Sequence, residues 1–276
     1  MTKLETAFIT GAASGIGNAL AKALAAKGCG LYLTDVNADA LQGAVDELRA
    51  AQVNVHSAVA DVSDRAAVEA AVRDAEAKLG GIDAMFNNAG VSLSDTVEKM
   101  TYDDLEWVMN INFYGVVYGT KAVLPGMLER GQGHIVNISS LFGLVGVPSQ
   151  SAYCAAKHAV KGFNESLFYE LDGTGVQIHS VHPGGVDTNI VRSGKHLHNT
   201  QGSLNSDEVQ KNFHTMAVTS PTAAAEIILA GVEKGSYRIL VGPDARSADR
   251  LQRWVPNIWR KMFLKKLGSW ERQGIF

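Results

Sequence analysis

Short apolar segments alternate with longer amphipathic segments along most of this 276-residue chain. Seven short segments are almost continuously apolar, as strands covered on both faces of a sheet are. They are residues 4–10, Gly30–Asp35, 53–60, 82–87, 134–139, 176–182 and Arg238–Val241. Segments rich in Ala, Leu, Glu and Lys, with helical spacing of apolar positions, lie at 15–27, Ala38–Ala50, 64–79, 102–130, 151–171 and Pro221–Glu233. This alternation predicts an α/β fold, a doubly wound parallel sheet with right-handed helical crossovers.

One segment, residues 188–219, departs from this rhythm. It follows the sixth predicted strand, is polar, contains three His residues and has weak periodicity. Long insertions at the carboxyl end of a strand are places where substrate-covering loops occur. We therefore predict one domain over residues 1–243, with 188–219 as a substrate lid and 244–276 as a C-terminal extension.

Composition and charge exclude several classes of protein. The formal net charge is -3, which gives no indication of a nucleic-acid partner. The only two cysteines, Cys29 and Cys154, imply no disulfide framework and fit a reducing compartment. The first residues lack the features of a signal peptide, and no uncharged apolar run reaches the roughly 18 residues of a membrane span. We therefore expect a cytoplasmic protein.

The first predicted strand leads into a glycine-rich turn, TGAASGIG at residues 10–17. Such a turn lets the backbone approach a pyrophosphate, and the following helix offers free N–H groups and a positive dipole end. The spacing G-x-x-x-G-x-G differs from the common dinucleotide fingerprint G-x-G-x-x-G. A phosphate-binding turn and a purely structural turn both fit this motif alone.

Carboxylates follow the second and third predicted strands. Asp35 lies 18 residues after Gly17, where a carboxylate can accept both adenosine ribose hydroxyls and repel a 2′-phosphate. Neither Ser14 nor Val36 supplies a cation for such a phosphate, so the sequence favours NAD over NADP. A polar cap is the alternative for Asp35. Asp61 is a candidate for the adenine amino group, for the N-terminal cap of the next helix, or for both.

Tyr153 and Lys157 lie four residues apart in a predicted helix and therefore share one face. A phenol with a pKa of about 10 is too weakly acidic to act as a base at pH 7, but a nearby cation favours the phenolate. The spacing alone is common on surface helices. Ser140, which directly follows the fifth strand, can face this helix. Asn112 is a poor helix former inside the predicted helix 102–130, so it either faces solvent or interrupts the helix and holds a water.

Together these motifs resemble those of the short-chain dehydrogenase/reductase superfamily. The resemblance covers about residues 4–242 and rests on TGAASGIG, NNAG at residues 87–90, Asn112, Ser140, the Y-x-x-x-K pair and Pro183-Gly184. It implies a Rossmann fold with a seven-stranded, mainly parallel sheet in the order 3-2-1-4-5-6-7. It also implies hydride transfer between nicotinamide and a carbinol carbon, for which the protein supplies orientation and proton handling.

The resemblance implies a role for each reacting side chain. Tyr153 would be the general acid/base, and Lys157 would lower its pKa and bind the nicotinamide ribose. Ser140 would bind the substrate oxygen, with Ser139 as the less favoured alternative. Asn112 would hold a water that links Lys157 to a proton relay.

The resemblance also defines the expected binding residues. The cofactor set is Gly11, Ser14, Gly15, Ile16, Gly17, Asp35, Asp61, Val62, Asn88, Ala89, Gly90, Tyr153, Lys157, Pro183, Gly184, Val186 and Thr188. The substrate set is Ser140, Leu141 and Tyr153, and the apolar residues after Ser140 predict a hydrophobic substrate. No metal site is expected, because His196 and His198, with His214, lack a second ligand pair.

Residues 245–276 form a basic extension with eight Lys or Arg and two Asp or Glu. Its apolar residues recur at roughly helical spacing and cations flank them, while Pro256 is expected to break or kink a helix. The apolar residues are Leu251, Trp254, Ile258, Met262 and Phe263, and the cations are Arg250, Arg253, Arg260, Lys261, Lys265 and Lys266. Packing within the subunit or oligomer, contact of residues 245–267 with a membrane surface, and cover of a neighbouring active site remain open.

The leading hypothesis is an NAD-dependent oxidoreductase for a hydrophobic secondary alcohol or its ketone. A 3-oxoacyl thioester reductase is the alternative enzyme, although such enzymes usually prefer NADPH, which conflicts with Asp35. A non-catalytic nucleotide-sensing regulator on the same fold is the alternative of another class. The resemblance implies a homotetramer or dimer formed through residues 102–130 and 151–171.

Overall fold

Seven parallel strands form the central sheet of the computed structural model, which describes residues 4–200, 202–258, 260–261 and 264–265. The strands are β1 (Thr6–Thr10), β2 (Gly30–Asp35), β3 (Val55–Val59), β4 (Ala84–Asn87), β5 (Gly133–Ile138), β6 (Val176–Pro183) and β7 (Arg238–Val241). Their order is β3-β2-β1-β4-β5-β6-β7, and every neighbouring pair is parallel. The predicted fold class and strand order are confirmed.

Helices cover both faces of this sheet. They are α1 (Gly15–Ala26), α2 (Ala38–Ala50), α3 (Arg65–Leu79), α4 (Tyr102–Met109), α5 (Gly115–Arg130), α6 (Ser151–Glu170), α7 (Ser206–Met216), α8 (Pro221–Glu233) and α9 (Pro243–Trp254). Helices α1, α2 and α8 contribute to one buried core, and α3, α5 and α6 contribute to the other. Because β1, β2, β4, β5 and β6 have a core on both sides, their residues form continuously apolar segments.

Alternate residues of a strand enter opposite cores. Ile9 and Leu33 face the core of α1 and α8, whereas Phe8 and Tyr32 face the core of α3 and α5. The rings of Phe8 and Tyr32 stack with their centroids 5.2 Å apart. This pairing fixes β1 beside β2 in register, which aligns the carboxyl ends of the strands at one edge of the sheet.

The prediction of one continuous helix over residues 102–130 is wrong. A π-helical turn, Asn110–Tyr114, separates α4 from α5. The side chain of Asn112 lies inside this turn and is fully buried, so the solvent-facing alternative for Asn112 is excluded. Insertions of this kind often occur at functional sites, because the extra residue changes the direction of side chains on the helix.

The segment 188–219 contains short elements that its weak periodicity did not reveal. Lys195–His196 pairs in parallel with Leu93–Ser94, His198–Asn199 pairs with Gly202–Ser203, and α7 follows. Two further contacts hold the segment to the main body of the fold. Lys195 pairs with Asp104 at 2.6 Å, and His198 contacts Asp95 at 3.0 Å.

The C-terminal extension begins with α9, which packs on the same chain. Ala245, Ala248 and Asp249 are buried, and Asp249 pairs with Arg238 of β7 and with Arg253. Helix α9 ends just before Pro256, as predicted, while Leu251, Trp254 and Ile258 remain exposed. Met262, Phe263 and Lys266 lie outside the described residues. Within the described part of the chain, no helix has both the length and the hydrophobicity that crossing a bilayer requires.

Candidate active site

A cavity of about 1120 Å³ lies at the carboxyl edge of the sheet. It is bounded by the glycine-rich turn, the ends of β2 to β6, the start of α6 and the segment 188–219. Every predicted site residue lines it except Gly17 and Asn112, which lie directly behind it. Ligands of open α/β sheets bind at this edge, where the strand order reverses beside β1.

The glycine-rich turn is built for close approach of backbone to a ligand. Gly11 and Gly15 adopt positive φ angles of 63° and 55°, which other residues rarely adopt. A Cβ at Gly17 would lie 2.2 Å from the carbonyl oxygen of Gly11. Asn88 ties the turn to β4, because its amide donates to the carbonyl oxygens of Thr10 and Gly11 at 2.9 and 3.1 Å. This bare backbone cradle at the N-terminus of α1 fits a pyrophosphate.

Asp35 joins the glycine-rich turn to the start of α2. One carboxylate oxygen accepts from the Ala13 N–H and the other from the Asn37 N–H, both at 3.0 Å. Each oxygen keeps a further lone pair for a ligand hydroxyl. Among the described residues that line the cavity, the one Lys or Arg is Lys157, at the opposite end.

The proposed capping role of Asp61 is wrong. The side chain of Asp64 caps α3 by accepting from the N–H groups of Ala66 and Ala67. Asp61 instead accepts from the Ser63 N–H at 2.9 Å and from the Ser63 hydroxyl at 2.7 Å. Its carboxylate therefore stays at the cavity wall, where an adenine amino group is the expected donor.

Ser140 and Tyr153 both line the cavity, and Ser140 acts on the phenol to lower its pKa. The Ser140 oxygen also accepts from the Phe142 N–H at 3.0 Å, which fixes its position. The neighbouring Ser139 is buried and donates to the carbonyl oxygen of Lys157 at 2.8 Å. Of the two serines, the geometry therefore favours Ser140 as the partner of the phenol.

Asn112 holds the loop that follows NNAG. Its Oδ1 accepts from the Val91 N–H and its Nδ2 donates to the Val91 carbonyl oxygen, both at 2.8 Å. A Cβ at Gly90 would lie 3.0 Å from Asn112 Oδ1 and 3.5 Å from Lys157 Nζ. The Asn112 side chain therefore holds the backbone at Gly90 and Val91, next to Lys157.

Three histidines of the segment 188–219 bind different partners. His196 contacts Ser94, His198 contacts Asp95, and His214 contacts Asp187. Among the described residues, no group of three or more His, Cys, Asp or Glu side chains is placed to hold a metal ion.

The sequence pattern of the short chain dehydrogenases matches residues 5–198. The chain belongs to this family. A protein of Mycobacterium tuberculosis strain H37Rv named as an oxidoreductase, SadH, is 40% identical over 265 residues, which are 94% of this chain and 93% of SadH. Levodione reductase of Leifsonia aquatica is 39% identical over 189 residues, which are 67% of this chain and 71% of that enzyme.

Solved structures of other family members are similar in fold. A short-chain dehydrogenase/reductase of Burkholderia phymatum in complex with NAD has a TM-score of 0.86 and 32% identity, covering 92% of this chain and 95% of that chain. The closed form of a serine dehydrogenase complexed with NADP⁺ has a TM-score of 0.77 and 29% identity, covering 87% of this chain and 95% of that chain. The present chain is thus an oxidoreductase of this family with a nicotinamide cofactor.

Burial dominates the ionisation of Tyr153 and Lys157 in this short-chain dehydrogenase. It raises the pKa of Tyr153 to about 12, although the hydrogen bond from Ser140 acts in the opposite direction. It also lowers the pKa of Lys157 to about 8. Lys157 Nζ donates to the Ile138 carbonyl oxygen at 2.9 Å and lies 5.8 Å from the centroid of the Tyr153 ring. Desolvation of the phenolate is the largest cause of the Tyr153 pKa in this structure, and the lowering by the Lys157 charge stays a prediction.

Asp244 lines the cavity, although no sequence motif pointed to it. One carboxylate oxygen accepts from the Gly185 N–H at 2.6 Å. The other, Oδ1, is buried without a hydrogen-bond partner among the described residues. A Cβ at Gly184 would lie 2.2 Å from this carboxylate. Asp244 therefore holds the loop 183–188. It reaches this loop because β7, which precedes Asp244 in the chain, pairs with β6, which precedes the loop.

Lys157→Met is expected to make the free energy of unfolding less dependent on pH. Because burial lowers the pKa of Lys157 to about 8 from an ordinary 10.5, the unfolded chain binds a proton between these values that the folded chain has released. Stability contributed by this group therefore rises with pH, by roughly 3 kcal/mol across the window. Urea unfolding of both proteins below pH 8 and above pH 10.5 measures it. An unfolding free-energy difference that is the same at both ends would contradict this assignment.

Proposed function

We propose that this chain is an NAD-dependent oxidoreductase that transfers a hydride between a hydrophobic secondary alcohol, or its ketone, and nicotinamide. The observation that carries the proposal is the Ser140–Tyr153 pair of hydroxyl groups at the cavity, with Lys157 on the same helix face. Ser140 orients the substrate oxygen, and Tyr153 exchanges the proton with it. NAD⁺, when bound, would supply the hydride acceptor and a positive charge.

The surroundings of Tyr153 suit proton transfer in a site that excludes water. Tyr153 is only 8% exposed, so the phenol keeps its proton until a positive charge offsets the burial. The Lys157 ammonium supplies one such charge and offers donors for ribose hydroxyls. Placing the substrate oxygen against two fixed hydroxyl groups lowers the barrier mainly through orientation and stabilisation of the developing alkoxide.

The preference for NAD over NADP is part of the proposal. The Asp35 carboxylate supports it, because two acceptor oxygens suit the adenosine ribose hydroxyls and repel a 2′-phosphate. Val36, the next residue, is apolar and 68% exposed, so it gives a phosphate no cation. Gly11, Ser14, Gly15 and Ile16 would hold the pyrophosphate, and the Val186 and Thr188 loop would hold the carboxamide.

A hydrophobic substrate is supported by the wall of the cavity around Tyr153. The apolar residues there are Trp107, Leu141, Phe142, Val145, Val147, Ile190, Val209, Phe213 and Leu251. A ring or branched skeleton fits such a wall, and removal of its apolar surface from water favours binding. The similarity to levodione reductase, a ketone reductase, agrees with this substrate class.

We also propose a cytoplasmic homotetramer or dimer with one catalytic domain over residues 1–243, the lid at 188–219 and the extension at 244–276. Neither Cys29 nor Cys154 forms a disulfide, which supports a reducing compartment. On α6, Phe168 and Tyr169 are 46% and 77% exposed, and exposed aromatic groups on a helix favour contact between subunits. Peripheral membrane contact through residues 245–267 is supported only by exposed apolar residues and cations there.

Mixing the purified protein with NAD and a panel of secondary alcohols of graded bulk tests the proposed function. We expect NADH absorbance at 340 nm to increase for apolar cyclic alcohols, with kcat/KM rising with apolar surface. The binding of NAD is measured in a separate titration by tryptophan fluorescence. Tight NAD binding without turnover of any alcohol or ketone would contradict the proposal and favour a nucleotide-sensing regulator.

A further inference from the structure

Three polar side chains form a buried cluster in the otherwise apolar part of the cavity. Ser94, Gln150 and His196 all line it and are only 5, 7 and 6% exposed. They come from three distant segments of the chain, namely the loop after β4, the residue before α6, and the segment 188–219. The reaction at Tyr153 uses none of them.

The hydrogen bonds of this cluster have one consistent direction. His196 Nε2 lies 2.7 Å from the Val191 carbonyl oxygen, which can only accept, so Nε2 carries the hydrogen. Burial lowers the pKa of His196, so the ring is neutral at pH 7 and its Nδ1 is an acceptor. The Ser94 hydroxyl, 2.8 Å away, therefore donates to Nδ1.

This direction determines how the Gln150 amide is oriented. Because the Ser94 hydroxyl hydrogen is already used, Ser94 Oγ must accept from Gln150, and Gln150 Nε2 donates to it at 2.6 Å. Gln150 Oε1 is then left as an acceptor. It is not one of the fully buried, unpaired side-chain atoms among the described residues, so it is open to a donor from the cavity that Gln150 lines. A ligand that takes this place without donating to the amide oxygen leaves it unpaired, which costs free energy.

The backbone fixes Gln150 at the start of α6, the helix that carries Tyr153. The Cys154 N–H donates to the Gln150 carbonyl oxygen at 2.8 Å, so Gln150 lies one helical turn before that point, on the side of Tyr153. The Asp95 N–H donates to the Ser149 carbonyl oxygen at 2.8 Å, which ties the Ser94 segment to the same turn. Both hydrogen bonds hold the backbone around Gln150, whose side chain lines the same cavity as Tyr153.

We propose that Gln150, held by Ser94 and His196, binds a second hydroxyl group on the carbon skeleton of the substrate. The substrate class then narrows from hydrophobic alcohols to apolar skeletons that carry one reacting carbinol and one further hydroxyl. This inference rests on the proposed oxidoreductase function. A site built to pair with a substrate hydroxyl discriminates against an analogue that lacks it, because the protein group is then left unpaired.

The test compares kcat/KM for cyclohexanol with kcat/KM for the isomeric cyclohexanediols, with NAD as acceptor. We expect at least one diol to exceed cyclohexanol by about tenfold. Gln150→Met keeps the approximate volume but removes the acceptor, so the diol-to-cyclohexanol ratio should fall by about tenfold. Gln177→Met, exposed on β6 and distant from the cavity, is the matched control and should leave the ratio unchanged.

Ser94→Ala gives a second, independent readout of the same proposal. It removes the anchor of the Gln150 amide, so the ratio should fall in the same direction, even if Gln150→Met fails to fold. Thermal unfolding and NAD binding verify the folded state of each variant. Turnover of cyclohexanol with no diol preference, or a preference that survives both substitutions, overturns the second-hydroxyl site alone. No turnover of any alcohol by the wild type overturns the proposed function as well.

Discussion

Tyr153→Phe is expected to lower kcat for alcohol oxidation by about a thousandfold, in the range typical for loss of a general acid/base. The substitution removes only the hydroxyl, so the ring keeps its edge-to-face contact with Phe142, whose centroid lies 6.1 Å away. The fold and the dinucleotide cradle should persist, and the Kd for NAD should stay close to the wild-type value. Stopped-flow and steady-state assays of NADH formation, with fluorescence titration of NAD, measure both quantities.

Tyr169→Phe is the matched control for this experiment. Tyr169 lies on the same helix and is 77% exposed, so loss of its hydroxyl should leave kcat unchanged. The pH dependence provides a further measurement, because oxidation needs the deprotonated phenol and ketone reduction needs the protonated phenol. Oxidation should therefore accelerate with rising pH, and reduction with falling pH. A Tyr153→Phe variant with near wild-type kcat would show that another group handles the proton.

The sheet and its helices could be predicted because their signal is local. Each strand is a short apolar run buried from both sides, and the helices show periodic apolar positions, so the alternation fixes a parallel topology. The π-helical turn at Asn110–Tyr114 is the exception. Its cause is the pair of hydrogen bonds between Asn112 and Val91, a contact between distant segments that no helical periodicity contains.

Most residues that line the cavity at this edge of the sheet could be singled out from the sequence, but their electrostatics could not. The sequence places a cation one turn from Tyr153, but only the folded structure buries the phenol enough to raise its pKa to about 12. The sequence also does not show whether Asp61 or Asp64 caps α3, because the backbone angles decide which carboxylate reaches the first N–H groups of the helix. The Gln150 cluster lay beyond sequence reasoning, because contacts between distant segments bring its members together. The pairing of Leu93–Ser94 with Lys195–His196 joins Ser94 to His196, and the bridge between Asp95 and Gln150 adds the third member.

Replacing Asp35 with Ser and Val36 with Arg together is expected to shift the preference from NAD towards NADP by at least about a hundredfold. Loss of the carboxylate removes repulsion of the 2′-phosphate and two acceptors for the ribose hydroxyls. The arginine adds a charge-assisted hydrogen bond to the phosphate, and such bonds contribute about 1.5–3 kcal/mol. The ratio of kcat/KM for NAD to kcat/KM for NADP, with one alcohol, measures the change.

A second double variant, Asp35→Ser with Val36→Gln, separates the effect of side-chain length at residue 36 from the effect of its charge. It adds a polar side chain at the same exposed position but no cation, so with Asp35→Ser it should weaken NAD without improving NADP. Because Asp35 also accepts from the Ala13 and Asn37 N–H groups, serine retains only part of that support, and thermal unfolding must accompany the kinetics. If the arginine variant still prefers NAD as strongly as the wild type, the dinucleotide is selected elsewhere in the cavity. The fit of the bare glycine-rich cradle to a pyrophosphate would stand, because both cofactors contain that group, but the assignment of Asp35 to the ribose would not.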